Sequence, residues 1–204
     1  MNQANKFIVR DQKLIAEGFE LPVWLYEYLI KESKLAKEKY NQKLAGAIEN
    51  EFSLRSCLPW VKEWFMGQLI TTDIYQEKIK NVQRFYLEAP QINCELKDLW
   101  VNFQKKHEYN PSHDHGGLFS MVIFMSIPYH IDDEKNFKNT KDSKTQENGC
   151  LNFQGRYSGG IAVPADKTWK GKGFFFDASQ LHSVNPFYTS DEYRITISGN
   201  FYLI

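Results

Sequence analysis

Residues 173–204 read GFFFDASQLHSVNPFYTSDEYRITISGNFYLI. Three short runs stand out in this stretch: GFFFDA, LHSVNPF and YRITISGNFYLI. Each is rich in aromatic or β-branched residues, which suit a pleated and half-buried surface. Asp, Ser, Asn and Pro separate them, as turn-forming residues do between strands. Upstream, CLNFQG (150–155) and GIAVPA (160–165) repeat the pattern, and LFSMVIFMSIP (118–128) is a strong apolar strand closed by Pro128. CELKDLWVNF (94–103) alternates loosely and reads as one more strand. Many short strands with regular turn signals point to a sandwich or barrel rather than a parallel sheet. Residues 131–149, IDDEKNFKNTKDSKTQENG, are polar and charged and read as an exposed loop between two core strands, either a lid or recognition segment or a passive surface insertion.

The first half of the chain has a different character. From Val23 to about Glu49, Leu25, Leu29, Ala36, Tyr40, Leu44 and Ile48 fall near helical spacing, with Lys and Glu between them. Pro22 suits the start of that helix, and one break is expected near Ser33. A second helical stretch begins at Leu58-Pro59 and runs to about Met66. A third runs from about Thr72 to Leu87, with Ile74, Ile79, Val82 and Tyr86 near one face and Pro90 ending it. The expected architecture is α+β, with helices packed as a layer on an antiparallel double sheet. The expected organisation is one domain over 1–204, with 1–90 mainly helical support and 91–204 the core that carries the site.

The chain has 204 residues, with 25 basic and 25 acidic side chains and zero formal net charge. No basic stripe supports nucleic-acid binding. No apolar run is long enough to cross a membrane, and the N-terminus lacks a secretory h-region. The three cysteines, Cys57, Cys94 and Cys150, are odd in number and widely spaced, which argues against a disulfide framework or a zinc knuckle. The expectation is a cytoplasmic protein with reduced thiols.

Five histidines occur: His107, His113, His115, His130 and His182. In an extended segment His113 and His115 point to one side, so the pair can grip one metal ion. His107 and His130 read as surface residues. His182 follows the GFFFDA strand, and Arg194 comes twelve residues later. In a strand, Arg194, Thr196 and Ser198 share one face, while Ile195 and Ile197 take the other. An inward Arg needs an anionic partner, and no acidic residue alternates with it. A ligand carboxylate gripped by two N–H groups would serve, and so would a structural acid elsewhere, such as Asp177.

These pieces resemble the 2-oxoglutarate/Fe(II)-dependent oxygenases, which have a double-stranded β-helix, or jelly-roll, core. The residues that carry the likeness are Trp100-Val101-Asn102, Asn110-Pro111-Ser112-His113-Asp114-His115, the strand Ser120–Phe124, LHSV at 181–184 and YRITIS at 193–198. The likeness covers about residues 98–204 and is closest to a branch with an H-x-H motif. It implies Fe(II), 2-oxoglutarate and dioxygen as cofactor and co-substrates. It implies His113 and His182 as iron ligands and Arg194 as the anchor of the oxoacid tail, helped by Thr196 or Ser198, with Asn102 contacting the co-substrate or lining the pocket. Where the superfamily usually has a carboxylate, this chain has His115. Three histidines form the expected ligand set, with Asp114 the alternative if a bulge turns it inward. Two imidazoles and one carboxylate ordinarily leave three adjacent iron positions open, so an imidazole at His115 leaves the metal more positive. The resemblance implies hydroxylation by a small-molecule co-substrate mechanism, with a peptidyl (prolyl) or amino-acid substrate favoured. A three-histidine cupin-type enzyme without the oxoacid, or a non-catalytic jelly-roll module, are the rivals. Neither needs Arg194.

Overall fold

A computed structural model describes residues 7–10, 13–85, 93–155 and 159–204. In chain order the elements are β1 (Phe7–Arg10), β2 (Lys13–Glu20), α1 (Val23–Leu35), β3 (Asn50–Ser53), α2 (Leu58–Leu69), α3 (Asp73–Phe85) and β4 (Cys94–Gln104). Then come β5 (Asn110–His113), β6 (Phe119–Ser126), α4 (Ile131–Lys135), β7 (Leu151–Phe153), β8 (Ile161–Val163), β9 (Lys172–Asp177), β10 (His182–Val184) and β11 (Arg194–Leu203). A seven-stranded sheet runs β1-β2-β9-β6-β11-β4-β3, and a four-stranded sheet runs β5-β10-β7-β8. All the pairings are antiparallel. This is the double-stranded β-helix with a helical layer.

The Phe174-Phe175-Phe176 run shows why β9 is apolar throughout instead of alternating. Phe176 and Phe174 face the small sheet, where Phe153 lies 5.2 and 6.4 Å away between ring centroids. Phe175 faces the other way and stacks on Phe19 at 4.2 Å. The large sheet is thus buried on both faces, by the small sheet on one and by helices on the other. α2 packs on β4, and α3 on β2 and β9. α2 buries Val61, Phe65 and Leu69, four residues apart, as one stripe of a helix requires.

Two expectations change. The helix that starts at Val23 ends at Leu35, not near Glu49. Residues 36–49 instead lie along the edge of the large sheet, where their backbone finds partners. Tyr40 N–H donates to the Glu51 carbonyl (2.9 Å), Ser53 N–H to that of Glu38 (2.8 Å) and Ala47 N–H to that of Tyr109 (2.9 Å). The 3.6-residue spacing of Ala36, Tyr40, Leu44 and Ile48 was coincidental, and sheet-edge bonding prevailed. The first half also supplies β1, β2 and β3, which extend both edges of the large sheet. The expected end of α3 near Leu87 and Pro90 lies outside the described residues.

The polar segment 131–149 is anchored. α4 carries Glu134 into full burial, where its carboxylate accepts from Tyr188 N–H (3.0 Å), Thr189 N–H (2.8 Å) and the Thr189 hydroxyl. The segment closes at Gly149, which has φ +68°, and a Cβ there would lie 2.6 Å from the Tyr129 hydroxyl. Glycine is therefore required by both conformation and space. No helix among the described residues is long and apolar enough to cross a membrane.

Candidate active site

His182 opens β10 and His113 closes β5, and the antiparallel register sets them opposite each other. Their ring centroids are 4.3 Å apart. β5 ends at His113, so His115 reaches the same place by another route than strand alternation. Its backbone N–H donates to the Ala178 carbonyl at 2.9 Å, which folds the H-D-H turn back toward β10. The His115 ring then lies 4.9 Å from that of His113 and 5.0 Å from that of His182. One ring nitrogen from each histidine lies within 4.8 Å of the others. Gly117, with φ +98°, completes the turn.

The protonation of these rings follows from their neighbours. His113 Nδ1 meets the Pro111 carbonyl at 2.7 Å, and His182 Nδ1 meets the Gln180 carbonyl at 2.9 Å. A carbonyl only accepts, so Nδ1 carries the proton and Nε2 keeps its lone pair for a metal. Burial, then the charge of His113 and His115, takes the His182 imidazolium down to about 3. Burial, then His113, takes His115 down to about 4. Both rings are neutral at pH 7. Phe176 and Trp100 wall the cluster, with centroids 4.8 Å from His182 and 5.9 Å from His115.

The cluster opens into a pocket whose far wall is the inner face of the large sheet, with Arg194, Thr196 and Ser198 along β11. Arg194 is 1% exposed. Its Nη1 donates to the Gly149 carbonyl at 2.9 Å, and its guanidinium sits 5.7 Å above the Phe124 ring. Its Nε is buried with no hydrogen-bond partner. Asp177, a possible structural partner on sequence grounds, pairs with Lys78 at 2.7 Å instead. No ion pair to Arg194 occurs among the described residues. Asn102 is the cross-strand neighbour of Thr196, and its Nδ2 reaches the hydroxyls of Thr196 (3.1 Å) and Ser198 (3.4 Å).

The structure therefore brings together His113, His115, His182, Arg194, Thr196, Ser198 and Asn102. Asp114 is exposed and stands outside the three-histidine cluster, although it borders the pocket. His107, with φ +71°, packs on Tyr188 at 5.3 Å away from the cluster. Sequence reasoning missed Glu51, Gln104 and Asn110, which also line the pocket. Glu51 belongs to no recognisable motif, and Asn110 opens the N-x-x-H-x-H stretch but was given no role of its own there. The alternation along β4 could have placed Gln104 beside Asn102, two residues away on the same face.

The donor set suits a divalent transition metal. An unpaired buried guanidinium in the same pocket calls for a carboxylate. A jelly roll with these two features is the frame of an oxoacid-dependent metal oxygenase. Residues 98–200 match the family described as "Putative 2OG-Fe(II) oxygenase", and that match covers half of the chain. The chain belongs to this family of 2-oxoglutarate- and Fe(II)-dependent oxygenases, whose cofactor is Fe(II) and whose co-substrates are 2-oxoglutarate and dioxygen.

Solved structures share the fold. A 2OG-Fe(II) oxygenase family oxidoreductase from Burkholderia pseudomallei aligns at TM-score 0.51 and 8% identity, over 91% of this chain and 84% of that one. A Pseudomonas putida prolyl-4-hydroxylase aligns at TM-score 0.51 and 11% identity, over 93% of this chain and 92% of that one. At such identities the likeness is one of fold. The curated proteins include no sequence match.

Proposed function

We propose that His113, His115 and His182 hold Fe(II), that Arg194 anchors the tail carboxylate of 2-oxoglutarate, and that the enzyme hydroxylates a peptidyl (prolyl) or amino-acid substrate. One observation carries the reading: three imidazoles with donor atoms within 4.8 Å share a pocket with a buried Arg whose Nε lacks a partner. When bound, Fe(II) and 2-oxoglutarate supply dioxygen activation, with the oxoacid going to succinate and carbon dioxide as one oxygen atom enters the substrate C–H bond.

The chain's own part is positioning. The Pro111 and Gln180 carbonyls fix the tautomer and tilt of two ligand rings. Phe176, Phe153 and Trp100 keep bulk water from the cluster. Arg194, oriented by Gly149 and Phe124, presents its free N–H edge to the carboxylate. Thr196 and Ser198, tied by Asn102, add hydroxyl donors beside it. The prolyl-hydroxylase fold neighbour supports a peptidyl substrate only as an analogy of fold.

The rival without an oxoacid leaves the buried Arg194 Nε unexplained. The test is succinate release from labelled 2-oxoglutarate by Fe(II)-loaded protein. Release that requires both Fe(II) and His182 is the expected result. Release that persists in His182→Ala, or dioxygen uptake that ignores 2-oxoglutarate, contradicts it.

A further inference from the structure

A second polar cluster lies in the pocket, unused by the metal and the oxoacid. It starts on β3, where burial alternates and turns Glu51 and Ser53 inward. Glu51 is 1% exposed. Its cross-strand neighbour is Asn102, whose neighbour in turn is Thr196. With strands about 4.8 Å apart, the Glu51 backbone stands roughly 10 Å along the sheet from that of Thr196.

Two acceptors of this cluster lack donors. Glu51 Oε2 accepts from Asn41 Nδ2 at 3.2 Å. Glu51 Oε1 and Asn110 Oδ1 are both buried and unpartnered. They flank one point, because a Cβ on Gly46 would lie 1.9 Å from Asn110 Oδ1 and 3.4 Å from Glu51 Oε1. A side chain at position 46 would displace the Asn110 amide, so Gly46 lets the 44–48 segment lie close over them. The charged groups nearby do not neutralise Glu51. Glu108 is a second carboxylate, and Lys39 is committed outside to Asn50 Oδ1 and the Glu49 carbonyl. Arg194 is held by Gly149. Burial, then Glu108, push the Glu51 carboxyl up to about 7. A buried carboxylate without a counter-ion is costly, and a cationic donor would relieve it.

The pocket is thus polarised. Arg194 attracts a dicarboxylate, and Glu51 repels one. We propose that Glu51 and Asn110 recognise a protonated amine on the substrate, so that the C–H bond oxidised belongs to an amine-bearing molecule, either a free amine or amino acid or an amine carried on a peptide. The reaction in this proposal rests on the oxygenase site above; the amine site itself does not.

The probes are n-butylammonium, a lysine-containing peptide with blocked termini, and the same peptide with the lysine Nε acetylated. The first readout is the Glu51 carboxyl carbon resonance in metal-free protein at pH 7, assigned by its loss in Glu51→Gln. One or both amine probes should move it to the ionised position, and the acetylated peptide should not. The second readout is succinate release by the Fe(II)–2-oxoglutarate enzyme. The amine that binds should accelerate it, and Glu51→Gln should weaken that response tenfold or more while the iron–2-oxoglutarate absorption band persists. Preference for butylammonium marks a free amine, and preference for the peptide marks a peptidyl one. The proposal is overturned if neither amine moves the resonance, if the acetylated peptide binds equally, or if Glu51→Gln responds like the wild type. A missing absorption band in the wild type would defeat the oxygenase site instead, and the carboxyl titration would still decide Glu51.

Discussion

Arg194 does two jobs at the scale of a single residue. Its Nη1 staples Gly149, and its Nε is left buried and open. Arg194→Ala should weaken 2-oxoglutarate binding by about 2–5 kcal/mol, the usual cost of truncating one side of a buried charge pair. Fe(II) affinity should stay near wild type. Calorimetric titration of both ligands checks this, and unchanged oxoacid affinity would remove the anchor role. His115 is the other decisive residue. Its ring completes the cluster where a carboxylate is usual for the superfamily, and Asp114 beside it points to solvent. His115→Asp should keep Fe(II) binding and preserve or raise succinate formation. Loss of iron in Asp114→Ala but not in His115→Ala would instead assign the metal to Asp114. That Arg194, His113, His115 and His182 gather in one pocket was legible from the family resemblance, while the turn that places His115 was not. Glu51 was not, because a single buried Glu on a short edge strand leaves no periodic trace.

At the scale of elements, the insertion 131–149 is better ordered than its composition suggests. A chain of polar residues reads as loop because it offers few apolar anchors. Here one buried carboxylate replaces them, with Glu134 gathering three donors from residues 188–189. Glu134→Ala leaves those donors unpaired, at about 1–3 kcal/mol. The expected outcome is faster amide exchange and proteolysis within 136–148, with oxoacid affinity reduced through Gly149 and Arg194. Unchanged exchange there would show that α4 does not hold the segment. Elements with strong local signals, such as β6, β9 and β11, were readable from sequence. The 36–49 stretch was not, since its apolar spacing mimicked a helix while its backbone was paired to β3 and to Tyr109. β1 and β2 were hidden for a related reason: a hairpin added to one side of an existing sheet needs little pattern of its own.

Across the whole molecule, two sheets bring residues from opposite ends of the C-terminal half to one cavity. The small sheet carries His113 and His182, and the large sheet carries Arg194, Thr196 and Ser198. Burying two neutral histidines couples this arrangement to stability. Their values fall from 6.5 in the unfolded chain to about 4 for His115 and about 3 for His182. The unfolded state therefore takes up protons first, so the metal-free protein should lose stability as pH falls from about 6.5 toward 3. Denaturant midpoints measured across that window should fall less in His182→Asn than in the wild type. Equal slopes would show that His182 is not buried neutral. The α+β antiparallel double sheet was foreseeable from short strand-forming runs between turn residues, which act locally, and the jelly roll from the family resemblance. Which edge each N-terminal strand joins depends on distant partners and was not.

The central claim is that three histidines and Arg194 form one iron–oxoacid site. Anaerobic titration of the metal-free protein with Fe(II), then 2-oxoglutarate, tests it most directly. A visible metal-to-ligand charge-transfer band should appear in the wild type, vanish in His182→Ala, and need higher 2-oxoglutarate concentrations in Arg194→Ala. No band in the wild type, or an unchanged band in His182→Ala, would contradict the account.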